Sequence, residues 1–216
     1  MMDAPDLLAI RDRLILAALP HVTFDGWSAA ALREAAADEG LDSTMPERLF
    51  PGGAIDAVAH FVGLADRLMV EDLADTDLEA LRVPQRISAL IGARLARWQP
   101  HREAVRRATT LLALPGNMGV AARLAWATSD AIWRAAGDRS HDFSWYSRRT
   151  SLMAVYGATM LYWLDDPSED GSDTLAFLER RLADVGGLTR ARRRVREGLE
   201  RLPGLNLARM GERLRR

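Results

Sequence analysis

The chain contains no cysteine and no lysine. Without cysteine it can form no disulfide, no thiolate metal site and no cysteine nucleophile, and a reducing compartment, by default the cytoplasm, is the expected setting. Every basic residue other than the four histidines is arginine, a bias from which no mechanism follows. Long apolar runs are missing as well. No uncharged stretch is longer than that of 150–164, which holds 15 residues, about five short of the roughly 20 that cross a bilayer as a helix. It reads instead as a buried core helix. Asp3, Asp6, Arg11, Asp12 and Arg13 interrupt the N-terminal stretch, so secretion is not expected.

Catalytic signatures are equally scarce. The histidines at positions 21, 60, 101 and 141 form no HxxxH, HExxH or ExxH group, so metal coordination has no sequence support. The ExxH spacing places two ligands on one helix face in di-iron carboxylate enzymes, and its absence argues that the chain is not such a hydroxylase. No GxSxG, Walker A or GxGxxG motif occurs. The pair Asp165-Asp166, beside Pro167, Ser168 and Gly171, reads as a solvated loop. The expectation is a protein that is not an enzyme, with no cofactor and no metal.

What the chain does have is apolar content, 48% of its 216 residues, enough to build a sizeable core. Apolar residues recur at helical spacing and nowhere alternate as a strand would, which makes the class all-α. The pattern predicts helices over 4–19, 28–38, 45–49, 54–73, 77–98, 102–114, 118–136, 144–163, 172–184, 188–202 and 205–214. Ser28 after Gly26 suits an N-cap, Thr76 with Glu79 a capping box, and Pro115-Gly116 and Gly186-Gly187 suit breaks. Pro84 is placed to split or kink its helix. Residues 1–187 are expected to form one helical domain, and residues 188–216 a basic tail.

The opening resembles the N-terminal part of a TetR-type repressor: a helix containing ILAAL, then FDGW, then SAAALREAAADEGLD and a short third helix. That resemblance implies DNA binding through the third helix. Charge argues otherwise. Between Ser28 and His60 only Arg33 and Arg48 stand against Glu34, Asp38, Glu39, Asp42, Glu47 and Asp56, a net of about −4, whereas phosphate contacts need a basic docking face. Pro46 and the turn Pro51-Gly52-Gly53 also depart from the repressor pattern, so no nucleic acid is expected as a partner.

The segment 113–185 carries the most specific pattern. Its residues ALPGNMGVAARLAWATSDAIWRAAGDRSHDFSWYSRRTSLMAVYGATML, followed by DTLAFLERRLADV, resemble the lipid-binding accessory proteins of ubiquinone biosynthesis, the family of the ninth Coq protein. The LP-N turn, the DxxW-xxAGD helix end, the DF-WY-RR element and the FLE-R-D helix follow one another in the family's order. The resemblance implies a TetR-like helical bundle of about ten helices, usually a homodimer, without catalysis of its own. It implies that the bundle holds an isoprenoid quinone intermediate and presents it to the demethoxyubiquinone hydroxylase. Competing readings are a ligand-responsive TetR-type regulator and a helical interaction module without ligand. The sequence does not say which lipid would be held.

Read from the residues alone, Met118, Leu124, Trp126, Met153, Tyr156, Met160 and Trp163 would set large, adaptable side chains between two long helices, where a flexible isoprenoid or other lipid could lie. Stripes of this kind are also ordinary core. A second cluster, Asp142, Phe143, Trp145, Tyr146, Arg148 and Arg149, cannot turn both adjacent aromatics inward, so part of it should be exposed beside two guanidiniums. Aromatics and arginine are enriched at binding hot spots. The resemblance assigns Asp142, Trp145, Tyr146 and Arg148 to the surface that meets the hydroxylase. The alternative is a helix start capped by Asp142 or Ser144 with Trp145 half buried.

From Leu188 onward ten arginines face three glutamates, about +7, leaving about −8 for the rest of a chain whose total is −1. Leu188, Ala191, Val195, Leu199 and Leu202 keep a helical stripe that Leu207, Met210 and Leu214 resume after Pro203-Gly204, with Arg209 and Arg213 alongside. A basic amphipathic helix of this kind suits a membrane surface. It would also suit packing on the acidic body. The expected location is the cytoplasm, peripherally on the inner membrane.

Overall fold

The computed structural model describes the backbone of residues 4–138 and 143–200, and the side chains of residues 6–138 and 145–186. Among the described residues there is no strand. The α-helices are α1 (Ala4–Asp25), α2 (Ala29–Asp38), α3 (Met45–Leu49), α4 (Ala54–Glu71), α5 (Val83–Trp98), α6 (Arg102–Leu112), α7 (Met118–Ala135), α8 (Phe143–Leu164) and α9 (Ser172–Glu200). The chain forms two compact units divided between Leu178 and Glu179. In the second, the described part is helical and carries an Arg181–Asp184 ion pair at 3.3 Å, one turn apart.

The first unit follows from its apolar stripes. Leu14, Ile15, Ala18, Leu19 and Val22 bury one face of α1, and the small Ala31, Ala35 and Ala36 beside Leu32 let α2 lie close against it. Ser28 caps α2, accepting from the Ala31 N–H at 3.2 Å. Gly26, at φ +67°, ends the preceding helix in the left-handed region that favours glycine. The turn it makes directs Trp27 inward, where its indole N–H donates to the Ala104 carbonyl at 3.0 Å. Its ring meets Phe61 at 5.3 Å, and Phe61 meets Trp98 at 4.8 Å. This aromatic chain ties the three-helix front to α4, α5 and α6.

Several boundaries differ from the expected ones for identifiable reasons. α1 runs on to Asp25 through Pro20, since one missing backbone bond does not end a helix whose next turn places Val22 in the core. The predicted helix 77–98 divides into a 3₁₀ turn, Leu78–Ala80, and α5, with Pro84 in the first turn of α5, where it removes no internal bond. Asp77, not Thr76, caps the 3₁₀ turn, accepting from the Ala80 N–H at 3.2 Å. Gly186-Gly187 does not break the chain, because α9 passes straight through it. Leu202 and all later residues lie outside the described part.

Asp166 corrects the solvated-loop reading. It is 3% exposed, and its carboxylate accepts from the Ser168 and Thr174 backbone N–H groups, each at 2.9 Å, and from both hydroxyls. It thus ties the turn to the start of α9. Burial works to raise the Asp166 pKa, but these hydrogen bonds outweigh it and hold the carboxyl at about 2.

Candidate lipid cavity and aromatic surface

Helices α4 to α8 enclose a cavity of about 350 Å³. It exists because small side chains face one another there: Ala65, Ala108, Ala121, Ala125 and Gly157 leave a gap that Phe61, Trp98 and Trp163 wall but do not fill. A Cβ built on Gly157 would meet nothing within 4 Å. Phe61, Trp98 and Trp163 are buried and seal part of the wall, whereas Leu161, 59% exposed, and Ala113, also exposed, mark where the lining reaches solvent and make a mouth.

Of the residues expected to line a lipid site, Leu124, Met153, Tyr156, Met160 and Trp163 line this cavity. Met118 and Trp126 do not. On α7 the cavity takes Ala121, Leu124, Ala125 and Thr128, one face at helical spacing. Met118 would continue that face a turn earlier, but it is 64% exposed and outside the lining. Trp126 stands one position around the helix from that face and turns to α8 instead. The helical stripe therefore located the cavity but did not show where it stops.

The lining is mostly apolar; Thr109 apart, its polar side chains Arg94, Thr128 and Tyr156 gather around Asp66, which lies behind the wall. The Arg94 Nε donates to the Tyr156 hydroxyl at 2.8 Å, and Arg94 Nη1 faces Asp66 Oδ1 at 3.0 Å. Thr128 donates to Asp66 Oδ2 at 3.0 Å. Burial pushes both the Asp66 carboxyl and the Tyr156 phenol up. Burial works against the charge on Arg94 as well, but Tyr156 and Asp66 outweigh it and raise its pKa. Sequence reading missed Arg94 and Asp66. The available signal was an arginine inside the otherwise apolar stripe Ile87, Leu90, Ile91, Leu95 and Trp98 of α5.

The outer end of the α7–α8 pair is built differently. Trp126, Trp145 and Tyr146 form an aromatic cluster, with Trp145 meeting Trp126 at 5.3 Å and Tyr146 at 4.7 Å. Tyr146 is 60% exposed, and Trp145 is half buried. Arg148 reaches Asp138 at 2.8 Å. Arg149, expected among the exposed guanidiniums, is 1% exposed. It pairs with Asp130 at 2.6 Å and Asp138 at 3.1 Å, and its guanidinium lies 4.1 Å from the Trp145 ring centre. Position 149 lies one helical turn beyond 145, so it points into the bundle beneath that ring. Asp142 lies outside the described residues. So do Leu202, Leu207, Arg209, Met210, Arg213 and Leu214, and the Leu199 side chain is likewise not described.

Among the described residues no group of acidic or histidine side chains could hold a metal ion, and no helix is long and apolar enough to cross a membrane.

Residues 118–189 match the COQ9 family model. The human ubiquinone biosynthesis protein COQ9, mitochondrial, is 32% identical over 200 residues, covering 89% of this chain and 63% of that protein. Its Xenopus tropicalis counterpart is 35% identical over 184 residues, covering 82% and 57%. The Drosophila melanogaster protein is 34% identical over 181 residues, covering 82% and 55%. The chain thus spans less than two thirds of the length of these curated relatives. Among solved structures, a TetR transcriptional regulator from Nitrosomonas europaea superposes with a TM-score of 0.65 at 21% identity, over 81% of this chain and 97% of that one. The fold is therefore TetR-like.

Proposed function

Because this chain carries a COQ9-family domain, we propose that it is a non-catalytic accessory protein of ubiquinone biosynthesis. Its cavity holds an isoprenoid quinone intermediate or a related lipid, and its aromatic surface presents that cargo to the pathway's hydroxylase. The observation that carries this reading is the cavity itself: about 350 Å³, mostly apolar, and open to solvent. That volume lies within the usual range of about 300–1,000 Å³ for small-molecule sites.

Other features support the same reading. The titratable groups at the cavity, Arg94, Asp66 and Tyr156, are engaged with one another. Trp126, Trp145 and Tyr146 give an anchored aromatic patch of the kind enriched at binding hot spots. The arginine-rich stretch from Leu188 would add attraction to anionic headgroups of about 1 kcal/mol per residue near a membrane surface. On the three-helix front, Arg33 is paired with Glu47 at 3.1 Å, so the acidic surface has little cation to offer to DNA phosphates.

Gly157→Leu tests the cavity. It adds a side chain where the glycine faces open space, and it removes a helix-interior glycine that costs about 0.5–1 kcal/mol relative to alanine. The variant should melt no lower than the wild type and lose bound lipid in native mass spectrometry. Retained lipid at unchanged stoichiometry would remove the cavity as the site.

A further inference from the structure

One wall of the cavity is chemically unlike the rest, and its significance rests on reading that cavity as a lipid site. A guanidinium carries five N–H donors. At Arg94, Nε is used on Tyr156 and Nη2 reaches only the Val62 carbonyl, at 3.5 Å. Nη1 stands 3.0 Å from Asp66 Oδ1, yet the two are not aligned as a hydrogen bond, and neither atom makes one to any described residue. The Tyr156 hydroxyl accepts from Arg94 and keeps its own hydrogen, for which the described residues supply no acceptor. Arg94 is 4% exposed and Tyr156 7%. Arg94 and Tyr156 therefore bury two adjoining donors with unused capacity at the cavity wall, where the Trp98 indole N–H is unpartnered as well, a costly arrangement unless an acceptor enters.

Charge narrows the choice of acceptor. Asp66 and Arg94 neutralise each other, so a ligand carboxylate would bring a second negative charge beside Asp66 in a low-dielectric interior. A neutral oxygen meets both donors without that penalty. The apolar faces of α7 and α8 then run from this wall toward the mouth at Leu161.

We propose that Arg94 and Tyr156 recognise the neutral, oxygen-bearing head of the cargo, so that the head enters first and the apolar tail lies along α7 and α8 toward the mouth. Held in this way, a quinone or phenol ring is sealed from water until the cavity is opened.

Three matched probes test this on the full chain by calorimetry: geranyl-1,4-benzoquinone, geranylbenzene, which lacks the oxygens, and geranylbenzoate, which carries a carboxylate. The wild type should bind the quinone about tenfold or more tighter than the other two. Tyr156→Phe should weaken the quinone alone, by about 2- to 12-fold, the effect of one hydrogen bond. The double variant Asp66→Asn, Arg94→Gln, which leaves no lone buried charge, should lose the preference. If quinone and hydrocarbon bind alike, or Tyr156→Phe weakens both equally, head recognition is wrong while the lipid site stands. Binding of none of the three would remove the lipid site itself, and the head recognition with it. Should the double variant fail to fold, Tyr156→Phe alone decides.

Discussion

Two buried arginines in the same helical bundle, Arg149 and Arg94, differ in how fully their donors are used. Arg149 bonds two carboxylates and the Trp145 carbonyl, and it stacks under the Trp145 ring. Arg94 has one good hydrogen bond, to Tyr156, and one unaligned ion pair. The first is sealed among apolar and ionic neighbours, whereas the second lines a cavity. The contrast teaches that a buried charge does not by itself mark a functional site; what sets Arg94 apart is unused donor capacity that faces a cavity, which Arg11, Arg102 and Arg107, also with an unpartnered nitrogen, do not line.

Arg149→Met should break the contrast most visibly. It takes the buried cation from Asp130 and Asp138, whose side chains are 9% and 5% exposed and which keep only the more exposed Arg134 and Arg148, and losing one partner of such a buried group costs up to about 3–5 kcal/mol. Urea unfolding measures it, and a loss below about 1 kcal/mol would show that Arg149 is not a keystone. Next in size is Trp145→Ala, at the surface that Arg149 supports. Hydroxylase association should weaken by about 2 kcal/mol or more, the scale of a hot spot. Unchanged affinity in a variant that still folds would take the docking role from this cluster.

Asp166 offers a saturated site without a counterion. Its folded pKa of about 2 lies below the ordinary 3.8, so it contributes stability above about pH 4 that is lost as pH falls toward 2. Asp166→Asn should cost about 2 kcal/mol at neutral pH and almost nothing at pH 2, as acid-series denaturation would show. Tyr156→Phe removes one used and one unused hydrogen-bonding role, and should lower stability by no more than about 1.5 kcal/mol. A larger loss would make Tyr156 a structural residue like Arg149. The smallest effect belongs to His60. Burial lowers its pKa despite its hydrogen bond to Asp12, so the unfolded chain takes up the proton first. Stability should therefore fall as pH drops below about 6.5, and His60→Gln should flatten that slope in thermal melts.

Much of this fold was legible because it rests on spacing. The stripes of α4 to α8 and the Ser28 cap are local patterns, and helices locate themselves by such patterns. The cavity was half legible. Met153, Tyr156, Met160 and Trp163 share a face of α8, but the hollow owes its existence to what is small, Ala121, Ala125 and Gly157, and a list of large residues does not show a gap. Arg149 was misplaced because a basic residue beside exposed aromatics reads as surface. Only its long-range partners, Asp130 and Asp138, turn it inward. Arg94 and Asp66 lie 28 positions apart on different helices, and no local window contains their pairing.

Helix α7 belongs to both regions at once. Ala121, Leu124, Ala125 and Thr128 face the cavity, while Trp126, Ser129 and Asp130 brace the aromatic end. An α-helix moves as a stiff rod, so any shift of α7 that makes room for cargo also displaces the indole of Trp126 and the carboxylate that grips Arg149. Were the proposed cargo and the proposed docking partner coupled through that helix, the two affinities would be reciprocal: a guest that changed the grip of the outer face by some factor would have its own hold changed by that same factor when the face is occupied.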